Sequence, residues 1–134
     1  MAKLNIVLGT HGRFGEELIK SAEMIVGKME NVKSVSLLPT MSFEEFMHQV
    51  DSVLNELNGP VLALVDLYGG TPCNVFTALT KKYHHNVIAG LNLPMLIDLY
   101  MNTVNSETLD MDGLIKKCIN NTRSAVVHTN KMLK

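Results

Sequence analysis

Short apolar runs of strand length alternate with segments whose apolar residues recur at helical spacing, and this alternation limits the chain to one class of fold. Leu4 to Leu8 is a largely apolar run closed by Gly9. After it, Leu18, Ala22, Ile25 and Val26 repeat at helical spacing up to Gly27. Val32 to Leu38 alternates apolar and polar residues and stops before Pro39. Ser42 and Glu45 have capping-box spacing; the helix they open carries Phe46, Val50, Val53, Leu54 and Leu57 and breaks at Asn58-Gly59-Pro60. Val61 to Val65 is wholly apolar, the pattern of a strand covered on both faces. Thr71-Pro72 opens a further helix, with Pro where a missing N–H is harmless. Asn86 to Ala89 makes a fourth short strand, Pro94 to Met101 and Asp110 to Asn121 make two helices, and Ser124 to His128 has the residues of a final strand. Strands and helices joined by short connections predict a three-layer, doubly wound α/β fold with a parallel sheet between helices.

Composition narrows the function. At 134 residues the chain fits one domain, expected to span residues 1–134. Twelve Lys and Arg against 13 Asp and Glu leave a net charge of −1, with no electrostatic pull toward nucleic acid or an anionic membrane. Aromatics are 5% with no Trp, which disfavours base stacking. No run approaches the roughly 20 apolar residues of a membrane span, and the N-terminus does not read as a secretory signal, so a cytoplasmic protein is expected. Cys73 and Cys118 are too few for a disulfide scaffold and lack zinc-type spacing. No metal site and no cofactor are expected.

In a doubly wound sheet, ligands sit beyond the carboxyl ends of strands, where the strand order reverses. The first strand ends in Gly9-Thr10-His11-Gly12 and the third in Asp66-Leu67-Tyr68-Gly69-Gly70-Thr71-Pro72-Cys73-Asn74. If those strands are neighbours, His11 and Asp66 face each other. A carboxylate accepting one imidazole N–H fixes the tautomer and leaves the other nitrogen nucleophilic. Gly12 allows close approach, and Gly69-Gly70 leads backbone N–H groups to the N-terminus of a helix, a favourable place for phosphate. Thr10 and Thr71 could add hydroxyl donors, and Asn74 could brace the loop. These parts describe a histidine that takes and gives a phosphoryl group. Nucleotide-binding glycine motifs are absent, which points to another protein as donor. His84-His85 reads as a helix terminus, where imidazolium suits the carbonyl dipoles.

Three segments, Ile6 to Gly12, Val65 to Asn74 and Ile88 to Leu96, resemble the signatures of the IIA components of the mannose class. These belong to the bacterial phosphoenolpyruvate-dependent sugar phosphotransferase system. The resemblance covers essentially the whole chain. It implies four parallel strands in the order 2-1-3-4 plus a C-terminal antiparallel edge strand exchanged within a homodimer. It also implies that His11 is phosphorylated by the carrier protein HPr and passes the group to a IIB component, with membrane IIC and IID components acting indirectly. Asp66 would orient His11 through Nδ1–H, leaving Nε2 for phosphorus, and the loop from Gly69 to Asn74 would form a wall of the site. Rival readings are the phosphotransfer subunit of a dihydroxyacetone kinase and a phosphorylation-controlled regulatory domain. A IIA component does not touch the sugar, so the transported sugar stays open.

Overall fold

The computed structural model describes residues 3–104 and 108–133. Its elements run β1 (Asn5–His11), α1 (Phe14–Val26), β2 (Val32–Leu37), α2 (Phe43–Glu56), β3 (Val61–Val65), α3 (Thr71–Ala78), α4 (Thr80–Tyr83), β4 (Asn86–Ala89), α5 (Leu93–Thr103) and α6 (Met111–Ser124). The four strands form one sheet in the order β2-β1-β3-β4, and every neighbouring pair is parallel. The expected order is therefore observed.

Alternation along the central strands divides the core in two. Ile6 and Leu8 of β1 with Leu62 and Leu64 of β3 face α1, α5 and α6. Val7, Ala63 and Val65 face α2 and α3, where Phe46 and Phe76 are fully buried. Each such side chain contributes about 1.5–3 kcal/mol relative to exposure. Helix starts follow local chemistry. Ser42 and Glu45 complete a reciprocal capping box at α2, and hydrogen bonding to Ser42 holds the Glu45 carboxyl below its usual range. Asn92 caps α5 and Asp110 caps α6 through their side-chain oxygens.

The sequence-based strand from Ser124 to His128 is not formed in the single chain. Ser124 closes α6, residues 126–128 belong to no strand, and a 3-10 turn follows at Thr129–Met132. β-branched residues favour a strand only where an edge supplies the ladder. Val126 and Val127 instead lie 84% and 54% exposed.

His85 also departs from expectation. It does follow the end of α4, but it is buried, edge-on to the Phe76 ring. Its Nε2–H donates to the Phe76 carbonyl at 2.8 Å, close to where α3 gives way to α4. Its Nδ1 is buried and without a partner among the described residues. Burial therefore pushes the imidazole below the ordinary histidine range, and the bond to Phe76 opposes this only in part.

That arrangement sets a pH dependence. The unfolded chain protonates His85 below about pH 6.5, whereas the folded chain resists the proton. The contribution is fully present above that value, declines as pH falls toward the lower folded value, and then levels off. The urea midpoint should drop between pH 7.5 and 5.5 more steeply for the parent chain than for His85→Gln, whose amide can donate to Phe76 without titrating. Parallel pH profiles would place the dependence on other groups.

Candidate functional site

β1 outruns β3. Gly9 pairs with Val65 as the last matched pair of these strands, while β1 continues beside β2 to the pair His11–Leu37. The end of β1 next to β3 thus lacks a ladder partner, and Asp66 fills the place. Its Oδ2 accepts the His11 backbone N–H at 2.9 Å and lies 3.0 Å from the ring Nδ1. An ionised carboxylate can only accept, so this contact assigns the ring proton to Nδ1 and leaves Nε2 with a lone pair. The Asp66 side chain is 15% exposed and that of His11 48%. One partner is therefore mostly sheltered while the other remains open to a reactant. Asp66 Oδ1 is buried with no partner among the described residues. A carboxylate so placed gains more from positive charge on the ring than a solvated one would.

The turn after His11 is braced from within. Thr10 is fully buried; its hydroxyl donates to the Gly12 carbonyl at 3.2 Å and accepts the Gly15 N–H at 3.0 Å. Thr10 therefore shapes the turn into α1 and does not present a free donor. Gly12 has φ +58, a left-handed value that an L-residue adopts only at a cost, and its N–H bonds the Leu37 carbonyl at 2.8 Å.

The second wall is the loop from Asp66 to the start of α3. Asn74 donates from its side chain to the Gly69 carbonyl at 3.2 Å and from its backbone to the Gly70 carbonyl at 2.9 Å, so it does brace the loop. Thr71 begins α3, directly after Gly70. The first amides of a helix have no intrahelical acceptor, and together with the dipole they favour an anion. Pro72 occupies this turn without adding another N–H. Cys73 is buried and packs with the α2–α3 core. Phe14 and Tyr68 are exposed, as is Leu67, which sequence reading passed over; an apolar residue between a polar strand tip and a glycine turn was the available signal. Arg13 is engaged by Glu16 at 3.3 Å. Among the described residues no group of His, Cys, Asp and Glu is placed to hold a metal ion, and no helix is long and apolar enough to cross a membrane.

His48 lies in α2, His84 and His128 lie outside the helices and strands, and all three are exposed; among the described residues His11 is the one histidine held by a carboxylate at a strand tip. What this arrangement can do chemically is present a nucleophilic imidazole nitrogen near the N-terminal end of α3, with a negative charge behind the ring.

Comparison with known proteins bears on the same segments. The PTS system mannose-specific EIIAB component of Escherichia coli (strain K12) is 36% identical over 124 residues, which cover 90% of this chain and 38% of that protein. The chain thus spans well under half the length of that relative. The mannose/sorbose specific IIA subunit of the phosphotransferase system from Enterococcus faecalis has TM-score 0.84 and 34% identity, covering 95% of both chains. The phosphotransferase system component EIIA from Streptococcus agalactiae has TM-score 0.86 and 29% identity, covering 96% of this chain and 98% of that one. The family described as PTS system fructose IIA component, EIIA-man, matches residues 5–118, from the first residue of β1 to the buried Cys118 of α6, and the chain belongs to that family.

Proposed function

We propose that the chain acts as a phosphocarrier in sugar uptake, accepting a phosphoryl group on His11 Nε2 from phospho-HPr and passing it to a histidine of a IIB component. The observation that carries this reading is the contact of His11 Nδ1 with Asp66 Oδ2 at 3.0 Å. In acceptance, the Nε2 lone pair forms a bond to phosphorus as the bond from phosphorus to the donor histidine breaks. The donor ring keeps that electron pair, and the His11 ring becomes cationic with its Nδ1–H directed at Asp66. Donation to IIB is the same displacement with His11 as leaving group. Asp66 stabilises the charged ring, and the Gly69–Asn74 loop with the first amides of α3 supports the phosphoryl oxygens. We read residues 1–134 as one phosphotransfer domain working in the cytoplasm, with Phe14, Leu67 and Tyr68 as an apolar rim for the partners. Gly12 and the Gly69-Gly70 loop weigh against a dihydroxyacetone kinase subunit, and the IIA family match favours transport over a solely regulatory domain.

Incubation with phosphoenolpyruvate, enzyme I and HPr should put one acid-labile, alkali-stable phosphate on His11. His11→Ala should stay folded and accept none; phosphate retained by that variant would overturn the assignment. Asp66→Asn should fold but accept the group about 10²- to 10⁴-fold more slowly, measured by rapid-quench transfer from phospho-HPr. An unchanged rate would remove Asp66 from the mechanism.

The C-terminal segment supports a second part of this reading, a homodimer in which residues near Val126 and Val127 add antiparallel to the partner's β4. β4 is an edge strand. Beside it runs a groove of about 450 Å³ lined by Val87, Ile88, Ala89, Met95, Ile115 and Ile119, among others. An uncovered apolar edge invites another strand, and exchange of an identical element closes a two-fold dimer at low cost. The full chain should run as a dimer at micromolar concentration in light scattering, and deleting residues 126–134 should give monomers that aggregate. A monomeric full chain would refute the exchange.

A further inference from the structure

We infer that Gly70 is a positioning residue for His11: the space left by its missing side chain is the seat of the imidazole edge, and this seat, with Asp66, decides which ring nitrogen faces outward. The geometry stands by itself; its consequence for transfer rests on the phosphocarrier reading.

The two adjacent glycines of the loop are there for different reasons. Gly69 has φ +83, and a Cβ built on it would meet nothing within 4 Å. Its requirement is conformational. Gly70 has φ −76 and ψ 167, extended backbone that any L-residue adopts. Conformation therefore does not call for glycine at 70. Space does. A Cβ there would lie 2.8 Å from His11 Cε1 and 3.5 Å from Nε2, with the Leu67 carbonyl oxygen a lesser contact at 3.3 Å.

Gly70 is also the N-cap of α3, and it makes no side-chain capping bond. Asn, Asp and Ser cap somewhat better than Gly, and Ala far worse. The helix forgoes the better caps at the residue whose missing Cβ admits the ring.

The consequence follows from how an imidazole turns. Torsion about its second side-chain bond is broad and roughly two-fold, so a single hydrogen bond does not fix the plane. Here the Nδ1 edge rests on Asp66 Oδ2 and the neighbouring Cε1 lies against Gly70. Contacts on two adjacent ring atoms hold the plane and leave Nε2 at the outer side. A methyl group at 70 pushes Cε1 away by several tenths of an ångström. That strains the Nδ1 contact and crowds the face of Nε2 that a phosphorus atom must approach. Misplacement of a reacting group by about 1 Å can cost 10²-fold in rate.

The test compares the parent chain, Gly70→Ala, His11→Ala and the double variant. Urea denaturation gives the first reading: Ala at 70 should lower the midpoint by more when His11 is present than when it is absent. In the His11→Ala background only the smaller cost of exchanging Gly for Ala at an N-cap should remain. Nitrogen NMR of the neutral His11 ring gives the second: the parent should show Nδ1 protonated, and Gly70→Ala a mixture of tautomers. The third reading is transfer from phospho-HPr, expected to fall in Gly70→Ala by about 10-fold, and by no more than about 10²-fold. Equal midpoint changes in both backgrounds, or an unchanged nitrogen signature, would overturn the seat. If Gly70→Ala does not fold, the double variant still decides: refolding on loss of the ring supports the proposal, and continued failure overturns it. A parent chain that takes no phosphate from phospho-HPr would defeat the phosphocarrier reading while the first two readings still judge Gly70.

Discussion

The parallel pairing of β1 with β3 is the constraint on which the rest of the molecule depends. It places two strands from distant parts of the chain side by side at the centre of the sheet, Gly9 against Val65. The chain runs outward from β1 to β2, then returns past β1 to β3, so the crossovers diverge between these two strands and open a crevice above them. Because β3 is buried on both faces from Leu62 to Val65, this pairing cannot slip by one residue without turning Leu62 and Leu64 out of one core and Ala63 and Val65 out of the other. The register that protects the core therefore also fixes how far β1 projects beyond β3, and with it the meeting of His11 and Asp66.

Asp66 joins structure to chemistry at that point. One oxygen receives both the last amide of β1 and the ring Nδ1. The backbone bond anchors the carboxylate to the strand, so the ring meets an acceptor already in position. Preorganisation of this kind spares a reacting group the cost of ordering its partner during reaction. Thr10 serves the other side of the turn, with its hydroxyl committed to Gly12 and Gly15. Asp66 acts on His11 directly, and Thr10 acts through the turn that follows it.

The strands, the helices and the pairing of His11 with Asp66 were legible in the sequence because each leaves a local or periodic mark. Val61 to Val65 is continuous apolar residues, Ser42-x-x-Glu45 is a cap, and the two polar strand tips lie where ligands gather in such sheets. What was not legible depends on partners distant along the chain. His85 looks like any histidine after a short basic helix, yet it is buried because the Phe76 ring and carbonyl arrive from α3. Thr10 looks like a free hydroxyl until the α1 turn folds back over it. Asp51 is anchored by Tyr83 at 2.8 Å and Lys82 at 3.0 Å, with the Tyr83 bond the larger cause of its lowered carboxyl pKa; nothing in α2 alone marks it. Ser124 to His128 has strand composition, but a strand is a relation between two segments, and composition describes one.

The two edges of the sheet are not equivalent, and the difference bears on the site. β2 presents exposed Lys33, a charge that blunts an edge against further pairing. β4 is four residues long and borders an apolar groove. The two residues that follow it secure the end of β3: the N–H groups of Gly90 and Leu91 both reach the Val65 carbonyl at 3.0 Å. Val65 immediately precedes Asp66. A strand added at β4, as in the dimer proposed above, would stiffen the segment that holds Val65 in place, and so the position of the carboxylate behind His11. Assembly and chemistry would then be coupled through a single carbonyl, with the partner never needing to touch the histidine.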